Sequence, residues 1–296
     1  DRRQRQMCIR DRPMIETACK TCQKLMDEED SPVLGLHIEG PYLNPAQARV
    51  LDPELSKAPE PETYEPLLDN NPCIKRWDEA PELPGSIEFI EACRHHGVLT
   101  ALTCTHATFE TVEAAHNAGM THAAHFYNAM PVVYKEHEFK VPGTVESVYA
   151  LQDMTVETIA DGIHVPPVML HVVYQIKGVE KMALITDSLA YAACNGEVTC
   201  EPRVILEDGV CKLADHSALA GSIATMDTLI RTSILKAEIP MIDVFRMASE
   251  TPAKIMGVFD RKGSIEEGKD ADIIMFDKDI NLTYVMQMGH EKTNCL

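Results

Sequence analysis

From residue 14 onward, short apolar runs that end abruptly in polar residues alternate with longer amphipathic stretches. The apolar runs cover residues 33–39, 98–106, 120–128, 154–164 and 181–187, and a weaker one covers 73–77 ahead of Glu79-Ala-Pro-Glu82. The intervening stretches have helical spacing. In residues 84–96, for example, Ile87, Phe89, Ile90 and Cys93 line one face, and residues 14–29, 109–118 and 166–179 read the same way. Strands alternating with helices imply βαβ units and a parallel sheet. A closed barrel of this kind needs eight strands. The expected fold is therefore a (β/α)8 TIM-like barrel lacking its first strands, the missing pair lying upstream of residue 14 if the chain is truncated there. Beyond residue 262 the pattern changes, and 263–277 and 282–288 predict short strands of a separate β element.

Composition narrows the class. The chain has 296 residues, 45% of them apolar and 25% charged, which is ordinary for a globular protein. No stretch approaches the roughly 18 consecutive apolar residues of a membrane span. The net charge of −19 would repel a phosphate backbone, so nucleic acid is excluded as a partner. Ten cysteines are scattered rather than dense, as in a cytoplasmic protein with reduced thiols. The one close pair, Cys19 and Cys22, has no second pair at zinc-finger spacing and is read as structural. Residues 1–13, DRRQRQMCIRDRP, are basic in an otherwise acidic chain and lack the apolar centre of an export signal. They resemble a translated adapter remnant and are set aside as non-native.

The chemistry lies in how the strands end. Glu39, His106, His125, His164 and Asp187 each stand at or just past the C-terminal end of a predicted strand, the rim on which α/β barrels build active sites. Two imidazoles and a carboxylate (Glu39, His106 and His125) form the ligand set of a catalytic zinc, with a position left open for water whose pKa the metal would lower. Asp187 is then the general base that takes the water's proton and returns it to a leaving group, while His164 donates to or orients a substrate oxygen. His95, His96, His116, His122, His137, His171, His216 and His290 are assigned to the surface or to ordinary hydrogen bonds. His37 shares a strand face with Glu39 and is at most a support for it. A metal-free phosphate-binding barrel would leave Glu39, His106 and His125 apart.

Five motifs carry a resemblance: GLHIEGPYLNP from Gly35, THAT from Thr105, HFYNAMP from His125, ADGIHV from Ala160 and LITD from Leu184. In this order they resemble the N-acetylglucosamine-6-phosphate deacetylases of the amidohydrolase superfamily, and the stretch from Gly263 is similar to that superfamily's closing strand motif. The resemblance implies a deformed barrel beside a small β-sandwich, giving a division into 1–13, a barrel at 14–262 and sandwich strands at 263–296. It places Glu39, His106 and His125 as metal ligands and Asp187 as catalytic acid/base. Asn128 and Ala129 fall where the sugar phosphate is held, partly by backbone N–H groups. Asp161, His164, Leu219, Ala220 and Gly221 fall on further substrate-contact segments. The implied reaction yields glucosamine 6-phosphate and acetate, in the cytoplasm, with one divalent metal (zinc, or alternatively ferrous iron) and a homodimer.

Three departures stand out. A family His-x-His motif that helps bind a second metal is absent, hence the single metal. Leu51 replaces a substrate-contacting His or Gln. Lys140 stands where a neighbouring subunit's Arg grips phosphate, and lysine is a point charge without the bidentate fork. These leave two alternatives: a related N-acyl amino-sugar phosphate as substrate, or an inactive truncated homologue.

Overall fold

The computed structural model describes residues 12–47, 55–189, 192 and 204–292. In chain order, α1 (Arg12–Met26) leads to β1 (Leu36–Glu39), α2 (Pro61–Asn70), β2 (Ile74–Glu79), α3 (Ser86–His95), β3 (Leu99–Leu102), α4 (Phe109–Ala118) and β4 (His122–Ala123). A hairpin of β5 (Tyr134–Glu136) and β6 (Phe139–Val141) precedes α5 (Thr144–Ala150), β7 (Thr155–Ile159), α6 (Pro167–Lys177) and β8 (Met182–Ile185). There follow β9 (Val204–Glu207), β10 (Val210–Leu213), α7 (Met226–Leu235), α8 (Met241–Ala248) and α9 (Glu250–Ile255). Last come β11 (Ile273–Phe276), β12 (Leu282–Gln287) and β13 (His290–Glu291).

Six strands form one parallel sheet in the order β1-β2-β3-β4-β7-β8; five lie within the apolar runs expected from the sequence, and β2 overlaps the weaker run 73–77 and extends two residues past it. Period-two alternation sorts their side chains. On β1 and β2, Ile38 and Trp77 face outward into a core shared with Ile15, Cys19 and Cys22 of α1, Tyr64 of α2 and Phe89 of α3. Tyr42, Trp77 and Phe89 pack there with ring centroids 5.1–5.6 Å apart. Cys19 and Cys22 are buried in this core beside Cys73, in keeping with the structural role expected of them. A second core packs the outer face of β3, β4, β7 and β8 against α4 to α8. The helices start where capping allows: the Thr108 hydroxyl accepts the Thr111 N–H at the head of α4, and Gly119 ends that helix at φ 130°.

The opposite face carries charge. Arg76 on β2 donates Nε and Nη2 to both oxygens of Asp78 at 2.7 Å, and Nη1 and Nη2 to both oxygens of Glu157 on β7 at 2.6 Å. His122 Nε2 reaches Glu157 at 3.2 Å, and His37 Nε2 lies 2.9 Å from Asp78 Oδ2, off the ideal hydrogen-bond line. β2 and β7 are separated by β3 and β4, a span of about 14 Å in a flat sheet. Arg76 can bridge them only because the sheet curls, so the architecture is a curled parallel half-barrel of six strands. An isolated parallel bridge between Ser188 and Ser222 lies just past β8. β11, β12 and β13 make a separate antiparallel sheet, anchored by Ile280 in the second core and by Phe276 stacked on Phe245 at 4.8 Å. No helix among the described residues is long and apolar enough to cross a membrane.

Burial works against the charge on Asp78, but Arg76 and then His37 outweigh it and hold its carboxyl at about 2. Glu157, equally buried, is likewise driven well below the usual carboxylate range by Arg76. Because the folded-state value lies below the unfolded one, Asp78 stabilises the fold fully above pH ~4 and loses that contribution, on the order of 2 kcal/mol, between pH ~4 and ~2. Arg76→Met strands two buried carboxylates and should cost about 3–5 kcal/mol in urea unfolding at pH 7. A loss below 1 kcal/mol would show that the clasp does not hold the curl.

Candidate metal centre

The C-terminal ends of β1, β3 and β4 converge. Glu39 closes β1, and its Oε1 lies 2.9 Å from His125 Nε2, just past β4. Cys104, just past β3, brings its Sγ to 3.9 Å from the same oxygen. The three ligand atoms all lie within 4.8 Å of one another, a spacing that metal–ligand bonds of about 2.0–2.3 Å can span. The Thr103 hydroxyl sits among them, 3.1 Å from Glu39 Oε1 and 2.9 Å from His125 Nε2. His125 Nδ1–H donates to the Asn128 carbonyl at 3.2 Å, which turns Nε2 toward the group as the nitrogen that would bind an ion once it gives up its proton, the orientation metal-ligating histidines adopt. Burial opposes the charged forms of Glu39 and His125, yet their contact holds the carboxyl low and the imidazole high.

Asp187 stands two residues past β8 at φ 50°. Burial, opposed by His125 and reinforced by Glu39, raises its carboxyl to about 6. Its Oδ1 is buried without a hydrogen-bond partner, as is Nε2 of His164. His164 is held by Asp161, whose Oδ2 accepts its Nδ1–H at 2.7 Å while Oδ1 accepts the backbone N–H groups of Ile163 and His164. The structure thus ends in two unsatisfied groups, a carboxylate and an imidazole, beside a carboxylate–thiol–imidazole cluster. Buried polar atoms without partners are uncommon in folded proteins and here mark a place for ligands. The donor set and the orphaned atoms fit a divalent metal with a polar substrate beside it.

A sequence signature described as "Amidohydrolase family" matches residues 12–293. The N-acetylglucosamine-6-phosphate deacetylase of Haemophilus influenzae is 30% identical over 284 residues, covering 95% of this chain and 73% of that one. The enzyme of the same name from Bacillus subtilis is 30% identical over 261 residues, 87% of this chain and 65% of that one. Among solved structures, N-acetylglucosamine-6-phosphate deacetylase from Pasteurella multocida superposes with a TM-score of 0.88 at 29% identity, over 95% of this chain and 73% of that one. The chain belongs to the amidohydrolase family. The five motifs pointed to the same relatives, and the chain spans about two thirds to three quarters of their length. Amidohydrolases are metal-dependent, in keeping with the cluster around Glu39.

Of the three ligands expected from the sequence, the structure brings Glu39 and His125 together. His106 is exposed, its backbone N–H held by Glu82 Oε1 at 2.7 Å, and Cys104 is the third residue beside Glu39 and His125. In a continued strand, residues 104 and 106 would face the same way. The strand ends at Leu102, and at Cys104, with φ 42°, the chain turns so that of residues 104 and 106 it is Cys104 that meets Glu39. The signal available was position alone: Cys104 also ends that apolar run, and thiolate is as good a zinc ligand as imidazole. Thr103 and Asn128's carbonyl, both positioning His125, carried no sequence signal at all.

The other expected residues divide. The Asn128 side chain donates to the His125 carbonyl at 3.0 Å and so ties down the loop. Asp161 turns its carboxylate to His164. Gly221 at φ 84° runs beside Leu189, and the Ser222 N–H donates to the Asp187 carbonyl at 3.1 Å, so Leu219, Ala220 and Gly221 lie on the segment flanking Asp187. Lys140 is exposed on β6, opposite Lys135. Leu51 lies outside the described residues. His96, His116, His171 and His290 bond to carboxylates or carbonyls elsewhere, as the sequence indicated.

Adding zinc to chelator-stripped protein should raise its melting temperature, equivalent to about 2.7 kcal/mol at a free metal concentration one hundred times Kd. In Glu39→Ala/His125→Ala that shift should vanish. Equal shifts in both proteins would place the metal elsewhere.

Proposed function

We propose that this chain hydrolyses the acetamide of N-acetylglucosamine 6-phosphate to glucosamine 6-phosphate and acetate. The observation that carries the reading is the meeting of Glu39 and His125 with a buried, orphaned Asp187 at the mouth of a fold shared with deacetylases over 95% of the chain. Glu39 and His125 hold one divalent metal, zinc by the nitrogen and oxygen donors offered. When bound, such an ion polarises the amide carbonyl and lowers the pKa of water toward neutrality.

The chain's own groups do the rest. Asp187, with its carboxyl at about 6, is mostly ionised at pH 7 yet close enough to neutrality to exchange a proton in either direction. It accepts a proton as a water oxygen bonds to the acetyl carbon, then passes that proton to the nitrogen as the C–N bond breaks, so that the amine leaves neutral. His164, its Nδ1–H fixed on Asp161, presents Nε2 to a substrate oxygen. His125, Tyr127 and Ala129 have positive φ at every second position, a tightly turned loop that keeps Asn128 and Ala129 beside His125, the place this reading gives to the phosphate; the Asn128 N–H itself is taken by the His125 carbonyl at 2.8 Å.

Two broader features belong to the same reading. Exposed Val132, Val133, Tyr134 and Phe139 surround Lys140 on the β5–β6 hairpin, which supports a homodimer that covers them and carries Lys140 toward a neighbour's phosphate. The separate C-terminal sheet supports a division near residue 262, with a barrel before it and the strands of a small β-sandwich after it. The missing arginine fork at Lys140 favours, as a second reading, a related N-acyl amino-sugar phosphate.

Acetate release from N-acetylglucosamine 6-phosphate should fall by about 10²–10⁴ in kcat for Asp187→Asn, with KM little changed. Equal turnover by the two proteins would overturn the assignment. In a panel with the 4-epimer and the unphosphorylated sugar, the phosphorylated gluco substrate should give the highest kcat/KM; a higher value for the epimer would favour the second reading.

A further inference from the structure

We propose that Glu82 is a positioning residue for the reaction, a carboxylate strut that spaces the rim loops on either side of it. The inference rests on the metal-dependent reading above and adds a residue to which that reading gives no task. Of the six strands of the sheet, β2 is the one whose rim supplied no candidate. Yet it lies between β1, which ends at Glu39, and β3, whose loop carries Cys104 and His106. Glu82, in the loop after β2, reaches both ways. Its Oε1 accepts the Asn44 side-chain N–H from the loop after β1 and the His106 backbone N–H from the loop after β3, each at 2.7 Å. Its Oε2 accepts the Thr105 hydroxyl at 2.5 Å. Hydrogen bonds to an ionised carboxylate are about twice as strong as those between neutral groups.

These are not the local contacts of a surface loop. The three donors lie 23 to 38 residues from Glu82 in sequence, and Thr105 is buried. Two further bonds carry the hold onward. The Asn44 N–H donates to the Cys104 carbonyl at 3.1 Å, which closes a ring of contacts among the loops after β1, β2 and β3. The Thr105 N–H donates to the Ala129 carbonyl at 3.0 Å, in the loop after β4 that carries His125. Glu82 stands on a fixed base: the Ala80 N–H donates to the Tyr42 carbonyl at 2.8 Å, and the Ser86 hydroxyl at the head of α3 donates to Glu79 Oε2 at 2.9 Å. A displacement of about 1 Å at a reacting group costs on the order of 10²-fold in rate, so a residue that sets the spacing of these loops acts on catalysis without touching substrate. Glu82 works through that spacing. Its oxygens are turned to these donors and stand outside the group formed by Glu39, Cys104 and His125.

Amide hydrogen exchange reads the strut itself, and zinc affinity reads its effect on the site. In Glu82→Ala the His106 N–H should exchange faster than in wild type, zinc should bind about 10–100-fold more weakly, and kcat for acetate release should fall more than KM changes. Asn44→Ala, which removes one donor and leaves the carboxylate, guards against a Glu82 variant that fails to fold; it should weaken zinc binding in the same direction by a smaller factor. Glu82→Gln keeps an oxygen for Asn44 and His106 and turns an amide N–H to the Thr105 hydroxyl oxygen, so it should recover most of the zinc affinity. Wild-type zinc affinity and kcat in either folded alanine variant would make the bonds purely structural and overturn the inference. Zinc binding as weak in Glu82→Gln as in Glu82→Ala would also overturn it, because charge rather than spacing would then act on the ion. Either result leaves a metal-dependent deacetylase intact. A wild-type protein that neither binds zinc nor releases acetate would overturn that reading, and this inference with it.

Discussion

The double fork of Arg76 is the interaction on which the site's geometry depends. One guanidinium holds Asp78 on its own strand and Glu157 three strands away, every bond 2.6–2.7 Å long and out of contact with solvent. A parallel sheet has no intrinsic reason to bring its second and fifth strands together; a buried cation shared by carboxylates across the concave face gives it one. The chemistry then sits one layer above, where the same strands run out toward their C-terminal ends. His37 and His122 tie this lower layer to β1 and β4, the strands that deliver Glu39 and His125.

Two carboxyl groups in that upper layer are pushed in opposite directions. Glu39, against His125, is kept ionised and suits a ligand. Asp187 is buried with an unsatisfied oxygen and the Glu39 charge nearby, and its carboxyl rises to about 6, which suits proton transfer. Environments that separate like groups in this way are how one fold assigns acid, base and ligand roles to the same residue type. Asp161 has a third role. Its carboxylate accepts two backbone N–H groups and an imidazole, and so positions His164.

The loop after β4 combines two duties. Its left-handed residues at 125, 127 and 129 let the Asn128 carbonyl fold back onto His125 Nδ1, which fixes a proton on that nitrogen, and the same loop holds Asn128 and Ala129, the pair proposed to meet the phosphate. Metal side and phosphate side of the proposed substrate are thus built from five consecutive residues. The exposed hairpin that follows, with Tyr134 and Phe139 on its two strands, lies outside the group just described.

Much of this was legible in the chain itself. All six strands of the sheet follow from apolar runs, because a strand buried on one or both faces must be apolar over four or more consecutive or alternating positions, and the polar residue that ends each run marks the rim. That rule singles out Glu39, His106, His125, His164 and Asp187 as candidates, and five local motifs whose residues stay adjacent in sequence give the family. What periodicity could not decide was the choice between Cys104 and His106, since both end the same run and face alike in an extended chain. A single left-handed residue turns Cys104 toward Glu39 and leaves His106 exposed, and backbone handedness at a non-glycine position is imposed by tertiary contacts (here the Asn44 bond and the hold of Glu82 on the following loop) rather than by the residue's own propensity. The Arg76 clasp, the Thr103 hydroxyl and the Asn128 carbonyl are likewise products of curvature: they join groups tens of residues apart, or backbone atoms every residue shares, and only the folded sheet gives them partners.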